Sequence, residues 1–73
     1  MWIYRSPIGI LKIVRQPDGR YGLFYGDFCG GLYYSPVAAS DDVYTRSSGI
    51  NEWDLRPGDD TDAPIDLSEW EKV

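Results

Sequence analysis

The chain has 73 residues, a mass of 8.3 kDa and a formal net charge of -5, with 42% apolar residues, 3 Trp, 6 Tyr, 2 Phe, 1 Cys and no His. That length allows one domain that buries roughly 60% of its extended surface, which leaves no room for separate cofactor and substrate domains. The composition excludes histidine acid–base chemistry, histidine metal ligands, an internal disulfide and a cysteine zinc cluster.

Residues 2–5 read as a short strand. Ser6-Pro7-Ile8-Gly9 is a turn, because Pro7 fixes its own φ and Gly9 permits a positive one. Residues 10–15, Ile-Leu-Lys-Ile-Val-Arg, form a β-branched strand. In Gln16-Pro17-Asp18-Gly19-Arg20, Pro17 and Asp18 suit the centre of a type I turn, and Gly19 suits the left-handed position after it. A loop over 17–19 sets a register in which Arg15 faces Tyr21, Ile13 faces Leu23 and Leu11 faces Tyr25. One face then carries Leu11, Ile13, Arg15, Tyr21, Leu23 and Tyr25, the better core face. The other carries Lys12, Val14, Gly22 and Phe24.

Gly26-Asp27 turns the chain again into a strand over 28–34, where Gly30-Gly31 reads as a bulge or a close backbone approach. Ser35 caps a helix whose first residue is Pro36. It runs over 36–46 and stops near Ser47-Ser48-Gly49. Its buried stripe is Ala39, Ser40 and Val43, with Tyr44 at the margin and Val37 a turn above. Asp42 and Arg46 are spaced to pair on its exposed side. Residues 50–55 alternate as a short strand with Trp53 and Leu55 on one side. A polar loop follows over 56–64. In the tail, Asp66 can cap a short helix with Glu69 completing the box, and Trp70 clamps the tail to the body.

The expected fold is α+β in one domain, residues 1–73. A small antiparallel β-meander over 2–34, of about three strands with room for a short fourth, packs on one helix over 35–47. Residues 50–73 supply the acidic short strand, loop and tail.

Chemical constellations are sparse. Gly30-Gly31 leads to no helix and no lysine, so it is no phosphate loop. Asp59, Asp60 and Asp62 resemble calcium ligands, but from Asp60 the loop puts Pro64 at position 5 and Ile65 at the required glycine. Asp41 and Asp42 do not face each other on a helix, and Glu52 and Asp54 share the solvent side of the expected strand, so neither pair forms a catalytic couple. Cys29 has no histidine to activate it and reads as a small buried hydrophobe. No enzyme, metal or cofactor is expected.

Charge is uneven along the chain. Residues 1–39 carry four basic and two acidic side chains, a net of +2; residues 40–73 carry three basic and ten acidic ones, a net of -7. The sequence has no stretch near the ~20 apolar residues of a membrane span and no secretory pattern at its start, which points to the cytoplasm. The expected function is a non-catalytic protein-binding module with a basic partner. Its surface would draw on Trp2, Tyr4, Tyr33, Tyr34, Asp41, Asp42, Glu52, Trp53 and Asp54, because aromatics beside charge are the material of binding patches. Two alternatives stand beside it. One is an acidic mimic of a nucleic-acid backbone that inhibits a DNA- or RNA-binding protein. The other is a single-strand binder using Arg15, Arg20, Tyr21 and Tyr25, which the charge opposes.

Overall fold

Three tight turns organise the first half of the molecule, seen in a computed structural model that describes residues 1–55 and 63–73. They join β1 (Trp2–Ser6), β2 (Gly9–Arg15), β3 (Tyr21–Tyr25) and β4 (Phe28–Tyr33). At the second turn Gly19 takes φ +89 and donates its N–H to the Gln16 carbonyl at 3.0 Å, while Asp18 accepts from the Arg20 amide at 3.0 Å. Arg15 faces Tyr21, Ile13 faces Leu23 and Leu11 faces Tyr25, the register set by the 17–19 loop. At the third turn Gly26 takes φ +59 at the first central position, the requirement of a two-residue hairpin loop that opens on glycine.

A fifth strand, β5 (Glu71–Lys72), adds antiparallel to β1, giving one sheet of order β4-β3-β2-β1-β5. The fold is therefore α+β with an antiparallel meander, larger at one edge than expected because the tail pairs as a strand. Its helix layer is α1 (Pro36–Tyr44) and the short α2 (Asn51–Asp54).

The core is built from one face of the sheet. Leu11, Ile13 and Leu23 meet Ala39 and Val43 of α1, Ile50 and Trp53 around α2, and Ala63 and Trp70 beyond. Ser35 caps α1 by accepting the Ala38 N–H at 3.1 Å. The helix ends two residues earlier than expected. Ser47 N–H reaches the Asp42 carbonyl at 2.8 Å and Arg46 N–H the Val43 carbonyl at 3.2 Å, with Arg46 at φ +59. These are the paired bonds of a Schellman stop, with arginine in the left-handed position that glycine usually takes. Arg46 has thus left helical spacing with Asp42, whose carboxylate takes the Tyr33 hydroxyl instead.

Residues 50–55 correct the expectation of a strand. They carry α2 between the caps Ile50 and Leu55; Ile50 and Trp53, three apart, both turn inward, whereas Leu55 is 77% exposed. Asp54 closes this turn. Its carboxylate accepts from Ser48 N–H at 3.0 Å, Ser48 Oγ at 2.7 Å and Gly49 N–H at 2.9 Å. Alternation could not reveal a helix nucleated by a side chain reaching back six residues.

In β4 the bulge falls at Gly30. Leu23 pairs with Gly31 and Phe24 with Cys29, so Gly30 is the extra residue. Its Cα faces the loop before α2, where a Cβ would lie 2.7 Å from both the Ser48 carbonyl oxygen and an Ile50 side-chain carbon. Cys29 is exposed rather than buried, because the register puts it opposite Phe24 on the sheet face that carries no helix. In the tail, Asp66 caps the 3₁₀ turn Leu67–Glu69 by accepting Ser68 N–H at 2.9 Å. Glu69 accepts the N–H of Ile65 at 2.8 Å rather than that of Asp66, so the box is displaced by one residue. Trp70 is buried, with its ring 5.6 Å from that of Tyr4. The polar loop expected over 56–64 lies mostly outside the described residues, as does the aspartate run 59–62.

Candidate functional site

Most of the aromatic residues singled out in the sequence are structural. Trp53 is 1% exposed; its indole N–H donates to the Val43 carbonyl at 2.7 Å and Tyr4 meets it edge-on at 5.8 Å. Tyr4 bridges Trp53 and Trp70, which makes it the middle of an aromatic row beneath the helices. Trp2 is half-buried beside Tyr21 at 6.1 Å and covered by the Lys72 ammonium at 5.0 Å. Of these three, Trp53 is buried and Trp2 and Tyr4 are half-buried, because the tail and α2, whose geometry the sequence did not reveal, pack against them.

Two carboxylates also have internal duties. Asp54 holds the loop 48–49, and Asp42 Oδ2 accepts the Tyr33 hydroxyl at 2.9 Å. Burial, then that hydrogen bond, then the negative charges of Asp42 and Asp54 push the Tyr33 phenol well above its ordinary 10.0. A folded value above the unfolded one leaves this contribution intact below pH 10.0 and removes it as pH rises beyond. In an alkaline titration followed by tyrosinate absorbance, Tyr33 is expected to ionise well above 10.0, and earlier in Asp42→Asn than in the wild type. An absorbance step lost in Tyr33→Phe that falls near 10.0, or that does not move in Asp42→Asn, would contradict this placement.

Three of the exposed large apolar side chains gather on one flank of α1. Tyr34, just before the cap, is 90% exposed; Val37 and Tyr44 are 50% and 48% exposed, and Asp41 is exposed between them. Positions 37, 41 and 44 are spaced i, i+4, i+7, so they line one side of the helix, turned away from the buried Ala39, Ser40 and Val43. Glu52 is exposed on the neighbouring α2. The sequence reading sets Tyr44 at the margin of the buried stripe and Val37 a turn above it, and both are exposed. A helical wheel anchored on Ala39 and Val43 would have placed both outside.

The basic side chains are dispersed. Arg5 pairs with Glu71 at 3.3 Å and Arg20 with Asp18 at 2.8 Å. Lys12 belongs to the helix-free sheet face, while Arg15 lies on the other face, opposite Tyr21. Among the described residues no group of three or more cysteine or carboxylate side chains is placed to hold a metal, and no helix is long and apolar enough to cross a membrane. No family model, curated protein or solved structure matches the chain.

Proposed function

We propose that this chain is a non-catalytic, cytoplasmic protein-binding module whose contact surface is the outer flank of α1 and whose partner presents a basic surface. The observation that carries this reading is the stripe Tyr34–Val37–Asp41–Tyr44: exposed apolar and aromatic groups around a carboxylate, on a rigid helix of an acidic layer. Aromatic anchors supply most of the energy of such contacts, and surrounding charge selects the partner and speeds the encounter. The backbone-mimic alternative draws less support, because Asp42 and Asp54 are spent on internal hydrogen bonds and cannot join a spaced row of carboxylates. The single-strand alternative draws less still, since Arg20 is engaged by Asp18 and Tyr21 and Tyr25 pack against the core.

The test is affinity capture from native lysate at low salt and at ~0.5 M salt, where surface charge is screened within a few ångströms. The bait is the wild-type chain beside Tyr34→Ala and Asp41→Lys. A basic protein that is retained by the wild type at low salt, and lost with each variant and at high salt, is the expected result. Equal capture by all three baits would remove α1 from the interface.

A further inference from the structure

The face of the sheet opposite the helices, which no element among the described residues covers, is unusually apolar for a solvated face. Antiparallel sheets with one solvated face alternate apolar-in and polar-out. Here the outward positions include Ile3, Ile10, Val14, Phe24 and Leu32, with Ile10 and Leu32 each more than 40% exposed. The cross-strand row at the middle of this face runs Glu71, Ile3, Lys12, Phe24, Cys29 over all five strands. Glu71 is taken by Arg5 at one edge. Lys12, at the centre, makes no ion pair among the described residues, and it borders two shallow hollows of about 280 and 440 Å³. The face is thus an apolar surface around one unpaired ammonium.

Its complement is present in the same molecule. The α1 flank is an apolar stripe around one carboxylate, Asp41, with Val37 a turn before it and Tyr44 a turn after. We infer that the open sheet face of one copy receives the α1 flank of a second copy, head to tail, with Asp41 meeting Lys12. A face-to-face pairing of two sheets on a central twofold axis would bring Lys12 toward Lys12, which disfavours it. The head-to-tail contact is heterologous, so it propagates as a sheet–helix–sheet–helix stack or closes into a ring. A nine-residue helix is about 13 Å long, so the contact falls well below the ~800 Å² per partner of stable complexes, and the association is weak and concentration-dependent. This inference rests on the reading of the α1 flank as a contact surface and names a second copy as one partner for it.

Sedimentation velocity of the full chain over a wide concentration range, up to about 1 mM to reach weak affinities, tests it. The wild type is expected to grow reversibly beyond 8.3 kDa, less so in high salt. Lys12→Glu and Asp41→Lys, each with an unchanged circular dichroism spectrum, are expected to weaken association by about 10- to 100-fold, since each sets like charges against one another. An equimolar mixture of the two restores opposite charges at every contact and is expected to restore assembly. Amide shifts that change with wild-type concentration should fall on Ile3, Lys12 and Phe24 together with Val37, Asp41 and Tyr44. A monomer at every concentration, association indifferent to Lys12→Glu, or shifts confined to other residues would overturn the inference. Lys12→Glu leaves the α1 flank intact, so capture of a basic partner that survives it while self-association is absent would reject the stack and retain the proposed function.

Discussion

Truncation of Trp53 to alanine is expected to cost about 3–5 kcal/mol, the range for deleting a fully buried large aromatic. A domain of this length has about 4–11 kcal/mol in total, so the variant sits at or near unfolding. Three losses combine: the cavity under α1, the edge-on contact with Tyr4, and the indole hydrogen bond to the Val43 carbonyl, which keeps the Arg46 N–H as its remaining donor. Urea denaturation followed by circular dichroism measures the cost. Leu55→Ala is the control. Leu55 is 77% exposed, so its loss is expected to change stability by no more than about 0.5 kcal/mol. A strand with both residues on one face would make both substitutions expensive, so comparable costs would argue against α2.

The contrast between these neighbours shows where the sequence was informative. The β2–β3 hairpin was legible because its information is local: Pro17, Asp18 and Gly19 define the turn, and the turn defines which residues face each other. The cap at Ser35 was legible for the same reason. The end of α1 was not, since the left-handed stop uses Arg46, a residue with no such preference. Alternation and helical spacing both fit the short run 50–55; the outcome turns on Asp54 bonding back to Ser48 and Gly49. The candidate site was half legible. Tyr34 and Asp41 stand exposed as expected, while Trp2, Tyr4 and Trp53 are covered by the tail and α2, elements whose position depends on contacts distant in sequence. The helix-free sheet face was visible as the second face of the hairpin, but that nothing covers it among the described residues is a property of the whole topology.

Gly49→Ala and Gly19→Ala are expected to differ sharply although the two backbones are alike. Gly19 has φ +89 and Gly49 φ +84, so a side chain is strained at either by about 1 kcal/mol. A Cβ on Gly19 meets nothing within 4 Å, whereas on Gly49 it would collide with the Gly30 carbonyl oxygen, and backbone cannot rotate out of the way as a side chain can. Separating the 48–50 loop from β4 adds a cost of the overpacking kind, for a total of about 2–4 kcal/mol. Chemical denaturation of the two variants checks the difference, and equal costs would mean that this loop does not rest on the bulge. The consequence extends to the candidate site. Ile50 and Trp53 follow this loop, and Trp53 holds the last turn of α1 through the Val43 carbonyl. Displacing the loop therefore frees the end of α1 that carries Tyr44, and Gly49→Ala is expected to weaken binding through that flank, whereas Gly19→Ala, at the tip of the β2–β3 hairpin, leaves it unchanged.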